Sequence, residues 1–126
     1  MFYGSAPLFF VRNIQQSVDY YCNVLGFDCP TIWGNPPFFA MPRRENIIIM
    51  LQETEDKQVN NNKNAWDAYF WIKDADALFK EFVAKGVMIE YPPEHKEAYG
   101  CYEFAIKDLN GYTLAFGQEE GKSQFL

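Results

Sequence analysis

Two carboxylates stand among aromatic and apolar neighbours in this chain of 126 residues: Asp67 in "NAWDAYFWI" and Glu103 in "CYEFAI". A carboxylate in such company is costly to desolvate unless it is paired or hydrogen-bonded. Each is therefore a candidate for recognising a cation or for general acid–base chemistry. The plain alternatives are a strand-start residue open to water for Asp67, and for Glu103 an ion pair with Arg43, Arg44 or Lys107. Tyr69, Trp71 and Tyr99 lie near these carboxylates in sequence, either as walls of a pocket or as core. No nucleophile and base pair joins them. His95 is the only histidine and sits in the polar stretch "PPEHKEAYG", which predicts a solvated loop. Cys22, Cys29 and Cys101 are odd in number and have no CxxC spacing. They predict buried free thiols rather than a disulfide framework or a zinc site.

The composition narrows the partners. With 12 Phe, 8 Tyr and 3 Trp the aromatic share is 18%, more than a small core needs, so some rings line a cavity or an interface. The net charge of −6 argues against nucleic acid and anionic membranes, and a cationic or neutral small molecule fits better. No apolar run reaches the roughly 20 residues that span a bilayer, and "MFYGSAPLFFVRN" lacks a charged region followed by a cleavable apolar one. The expected location is the cytoplasm.

The elements that must position these side chains come twice. "FFVRNIQQSVDYYCNVLGF" (9–27) recurs in kind as "YFWIKDADALFKEFVAKGV" (69–87): a short strand, a capping residue, an amphipathic helix and a terminating glycine. Asn13 and Asp74 are the expected N-caps, and Gly26 and Gly86 suit the left-handed position past the helix ends. Ile14, Val18, Tyr21 and Leu25 share one helix face; Ala75, Leu78, Phe79, Phe82 and Val83 share the other. Strands follow each helix, with turns at "RREN" and at "KDLNG", where Asn and Gly tolerate positive φ. The expected organisation is a single α+β domain of two βαβββ modules, residues 5–55 and 65–119, with a polar join at 56–64 and a tail at 120–126. Strands such as "NIIIMLQ" are apolar on both faces, so both faces are covered. A curved mixed sheet around a cavity fits the surplus of rings; a plain sandwich core would give the same string.

The segments "NIQQSVDYYCNVLGF", "KDADALFKEFVAKGV" and "YGCYEFAIKDLNGYTLAFGQ" resemble the vicinal oxygen chelate superfamily, which includes glyoxalase I, extradiol dioxygenases, fosfomycin-resistance enzymes and bleomycin-resistance binding proteins. Members often carry Asp-Pro-Asp-Gly where this chain has "DLNG". The resemblance covers nearly the whole chain. Metal-using members hold one divalent ion with four inward strand residues, and on this chain those positions fall at Ala6, Met50, Asp67 and Ala115. Such a set does not make an oxygen and nitrogen cage, so no metal and no other cofactor is expected. The resemblance then implies a metal-independent protein of the bleomycin-resistance kind, a homodimer that sequesters a cationic or aromatic ligand without chemistry. The alternative is a metal-independent or atypical-metal lyase or isomerase using Glu103 or Asp67. With Met50 and Ala115 facing in, alternation puts Leu8, Phe10, Ile48, Gln52, Tyr69, Trp71 and Thr113 on the same side. The resemblance adds Cys101, Glu103 and Ala105, leaving Phe104 and Ile106 for the helices. The expected ligand-binding set is Phe10, Trp33, Phe38, Ile48, Met50, Gln52, Asp67, Tyr69, Trp71, Tyr99, Glu103 and Ala115, with Trp33, Phe38 and Tyr99 at the mouth.

Overall fold

The computed structural model describes residues 1–29, 31–56 and 65–121. Of the polar join expected at 56–64 only Asp56 is described, and of the tail only residues 120 and 121; the rest of both lies outside the described residues. The chain forms two compact units, one of residues 1–63 with 109–112, the other of residues 64–108 with 113–126.

In the first unit, strand β1 (Leu8–Val11) leads into helix α1 (Ile14–Asn23), then β2 (Ile32–Gly34), β3 (Pro37–Ala40), a small hairpin of β4 (Arg43–Arg44) and β5 (Ile47–Ile48), and β6 (Met50–Glu53). The sheet order is β1-β6-β3-β2, with β1 parallel to β6 and Leu8 opposite Met50. Period-two alternation buries Phe9 and Val11 and leaves Leu8 and Phe10 exposed. The buried pair faces Ile14, Val18, Tyr21 and Leu25 of the helix stripe, all buried. At the start of α1 the Asn13 side chain accepts from Gln16 N–H, and Glu53 Oε2 accepts from Ile14 N–H at 2.8 Å, so two of the four orphan donors of the helix are satisfied. Gly26 closes the helix with φ 76°.

The second unit repeats the plan. It runs β7 (Ala68–Trp71), α2 (Ala75–Ala84), β8 (Met88–Lys96), β9 (Cys101–Lys107) and β10 (Thr113–Glu119), in sheet order β7-β10-β9-β8. Strand β10 is parallel to β7, with Ala115 opposite Tyr69. Asp74 caps Ala77 N–H, and Gln118 Oε1 accepts from Ala75 N–H at 2.9 Å. Glu53 and Gln118 thus do the same task in the two units, a correspondence that the sequence hides behind different side chains. On the helix side Phe70, Phe82, Phe104 and Phe116 pack ring on ring at 5.3 to 6.1 Å. Residues 113–117 are buried on both faces of β10, as an apolar strand without alternation requires.

The βαβββ reading of both halves holds, with three local corrections. Val83 is exposed rather than part of the buried helix stripe, because α2 presents only a narrow face through Ala75 and Phe82. In the "KDLNG" turn positive φ falls on Gly111 alone; Asn110 instead uses its side chain, donating to Ser17 Oγ at 3.1 Å. His95 lies within β8, not in a loop, and its Nδ1 is 2.9 Å from Glu120 Oε1.

Candidate functional site

The face of the second sheet turned away from α2 carries Tyr69 from β7, Ala115 and Gly117 from β10, and Glu103 and Ala105 from β9. The register sets them in rows: Tyr69, Ala115 and Ala105 in one, Trp71, Gly117 and Glu103 in the next. Gly117 has no side chain, and a β-carbon there would fall on the Tyr69 hydroxyl. Tyr69 therefore lies diagonally across β10 and donates to Glu103 Oε1 at 2.9 Å. The small residues at the end of "TLAFG" are the floor on which this ring rests.

Two further phenols converge on the same carboxylate. Tyr99 donates to Oε1 at 2.7 Å and Tyr91 to Oε2 at 2.5 Å, while Trp66 Nε1–H donates to the Tyr91 oxygen at 2.9 Å. Glu103 is 0% exposed. Three hydroxyl donors on two oxygens suit an acceptor-only carboxylate, and hydrogen bonds to such a group are short and strong. The ion pair that stood as the plain alternative is not what satisfies it. Arg44 donates to Leu25 O, and Lys107 to Thr113 Oγ1 at 2.6 Å, with Glu90 at 3.7 Å. Phenols win because they approach from the sheet's own face, whereas Lys107 lies two rows away along β9. Burial first, then the bond to Glu103 for Tyr91 and Tyr99 and Cys101 ahead of Glu103 for Tyr69, pushes these phenols above their ordinary value of 10.0.

Around this carboxylate the rings form one cluster. Trp66 lies 4.7 Å from Tyr69 and 6.2 Å from Tyr99, and Trp71 lies 5.4 Å from Tyr69. Trp66 and Trp71 remain 42% and 49% exposed, so a buried negative group sits beneath partly open indoles. One cation is already drawn there: Lys96 Nζ stands 5.1 Å from the Tyr91 ring centroid and pairs with Glu94. A cation is attracted to a ring face, and a phenol that donates to a carboxylate has a more electron-rich ring.

The other expected ligand residues are distributed over several places. Phe10, Met50 and Gln52 share one face of the first sheet, Phe10 directly opposite Gln52. Trp33 and Ile48 line a separate groove of about 820 Å³ in the first unit, with Asp28, Cys29, Thr31, Met41 and Arg43. Phe38 is exposed and its ring lies over Gly34. Asp67 extends the β7–β10 ladder: its N–H donates to Thr113 O, and its Oδ2 accepts from Thr113 N–H, both at 2.8 Å. Missed by sequence reasoning were Tyr91, Trp66, Gly117 and the groove residues beside Trp33. Tyr91 was hidden because the pairing of β8 with β9 slips on either side of it, which breaks the alternation that would have flagged it. The thiols also differ from expectation: Cys101 is buried, but Cys22 and Cys29 are only half-buried.

The strand positions at which a superfamily ion would be held do not fit one. Met50 lies opposite Leu8, Ala115 is packed between Tyr69 and Ala105, and Asp67 is committed to the strand ladder. Among the described residues no group of three or more His, Cys, Asp or Glu is arranged to hold a metal.

Residues 6–116 match the family model of the glyoxalase/bleomycin resistance protein/dioxygenase superfamily. The chain belongs to this superfamily. Its fold is the glyoxalase/bleomycin-resistance fold. A solved structure similar to it is the bleomycin-binding protein from bleomycin-producing Streptomyces verticillus, complexed with copper(II)-bleomycin. That protein is 26% identical over 97% of this chain and 98% of its own, with a TM-score of 0.73. TioX from Micromonospora sp. ML1 superposes with a TM-score of 0.76 at 19% identity, covering 93% of this chain and 98% of its own. A superfamily member from Sphaerobacter thermophilus DSM 20745 gives 0.74 at 18% identity, covering 94% and 98%. These last two likenesses concern the fold alone. No curated protein matches the chain. Among the described residues no helix is long and apolar enough to cross a membrane.

Proposed function

We propose that this superfamily member is a metal-independent binding protein that takes up a small cationic aromatic molecule at the Glu103 face of its second sheet and releases it unchanged. The observation that carries this reading is the buried Glu103 carboxylate, paired with no Lys, Arg or His among the described residues and overlain by half-open indole rings. Its field is poorly screened inside the protein, and the rings offer faces for stacking and for cation contact. Trp66, Tyr69, Trp71 and Tyr99 would meet the ligand, with Glu103 supplying charge through the phenols rather than by direct contact. Metal independence is supported by the donor types at positions 6, 50, 67 and 115. A homodimer belongs to the same reading, on the strength of the family resemblance.

The lyase or isomerase alternative has less behind it. A general base must reach the proton it removes, and both Glu103 oxygens already accept phenol protons. A thermal-shift panel of cationic aromatic compounds, copper(II)-bleomycin included, tests the binding reading. A ligand at about 100 times its dissociation constant adds roughly 2.7 kcal/mol. The expected outcome is a shift with a charged compound, a smaller one with its neutral isostere, and loss of the shift in Trp71→Ala. Equal shifts for the charged and neutral compounds would overturn it, as would no shift across the panel.

A further inference from the structure

Asp28, Arg43 and Ile48 stand side by side in the first unit. Asp28 and Arg43 exchange backbone hydrogen bonds of 2.7 and 2.6 Å, and Arg43 lies opposite Ile48 in the β4–β5 hairpin. Directly opposed residues of antiparallel chains send their side chains to the same face, and all three line the groove of about 820 Å³, together with Thr31, Trp33 and Met41. That volume lies within the roughly 300–1,000 Å³ of small-molecule sites. The backbone around the row is pinned: Ile49 N–H donates to Pro42 O at 3.1 Å, and Arg44 Nη1 donates to Leu25 O at 2.8 Å. Ile48, Met41 and Trp33 give the groove an apolar wall. Among the described residues no ion pair and no side-chain hydrogen bond engages the Asp28 carboxylate or the Arg43 guanidinium. One acid and one base therefore face the same space with their bonding capacity open.

We propose that this groove is a second small-molecule site and that it takes a zwitterion, an α-amino acid with a bulky apolar side chain. The Arg43 guanidinium is a planar fork that matches a carboxylate, and the Asp28 carboxylate accepts hydrogen bonds from an ammonium. In an α-amino acid both groups sit on one carbon, and a hydrogen-bonded antiparallel pair sets the Cα atoms of Asp28 and Arg43 only about 5.5 Å apart. The two side chains can thus meet the two charges of one ligand, whose own side chain is left to Ile48, Met41 and Trp33. This separates the groove from the Glu103 face. There a buried negative group favours a net cation; here a net charge of either sign leaves one partner unmatched. A simple cation finds nothing at Arg43, and a simple anion finds nothing at Asp28. The groove shares no residue with the Glu103 site and does not depend on that reading.

Calorimetric titration of the full chain with L-leucine and L-phenylalanine tests this. Both should bind saturably. N-acetylation, which removes the ammonium, and amidation, which removes the carboxylate, should each weaken binding about three- to tenfold, the scale of a hydrogen-bonded charge contact at a partly exposed site. Arg43→Gln should weaken L-leucine to the same degree but not L-leucine amide. Asp28→Asn should weaken L-leucine but not N-acetyl-L-leucine, since each substitution then removes a partner whose charge the ligand already lacks. Absence of saturable binding by either amino acid would overturn the proposal. So would equal affinities for the amino acids and their blocked forms, or variants that weaken all the compounds alike. Asp28 and Arg43 are both exposed; should either variant still fail to fold, the blocked forms on the wild type decide.

Discussion

Tyr69 reaches Glu103 only because Gly117 lies between them without a side chain. The Gly117 backbone is not in the left-handed region, so alanine there meets a steric obstacle and not a conformational one. Gly117→Ala should cost about 1–3 kcal/mol, as overpacking does, read from the urea midpoint. In a Tyr69→Ala background the same substitution should cost much less. Equal costs in the two backgrounds would break the link between these residues.

Tyr99→Phe removes one of three donors from a buried carboxylate and should lower stability by about 1.5–3 kcal/mol, the range for hydrogen bonds to charged groups. Glu103→Gln should cost at least as much, since its amide hydrogens would face phenol hydrogens. Urea unfolding of both variants checks this; a neutral Glu103→Gln would show that the phenols do not depend on charge.

Alkali should unfold the protein through the same cluster. The Tyr91 and Tyr99 phenols titrate above 10.0 in the folded chain, first through burial and then through the Glu103 bond. Below 10.0 folded and unfolded phenols are both protonated and their contribution to stability is fully present. Above it the unfolded state loses protons first, so stability falls as pH rises. Unfolding free energy measured from pH 8 to 11 should decline beyond about pH 10, and less steeply in Tyr91→Phe.

Lys96 holds the cation position over Tyr91. If a ligand cation uses that ring, Lys96→Ala should tighten its binding by about two- to fivefold, the equivalent of an exposed cation–π contact. Calorimetric titration with a compound found by thermal shift would detect it, and weakened binding would move the ligand away from Tyr91.

Much of the architecture was written in local signals. Asn13, Asp74, Gly26 and Gly86 marked both helices at their ends, and the doubled βαβββ order followed from them. Strand alternation put Tyr69, Trp71 and Ala115 on one face and the family resemblance added Glu103, and the unbroken register of β7, β9 and β10 sets them side by side. What supports Glu103 was not legible: Tyr91 comes from a strand whose pairing slips, and a phenol triad leaves no spacing pattern in sequence.

The first unit takes Leu109–Tyr112 from the far half of the sequence, with Tyr112 stacked on Phe9 at 4.3 Å and its hydroxyl on Phe10 O at 2.7 Å. The duplication visible in the chain is therefore no longer a pair of separable ancestors. A fragment stopping at residue 63 would lack the ring that covers Phe9, and gene fission at the polar join would yield a half that cannot complete itself.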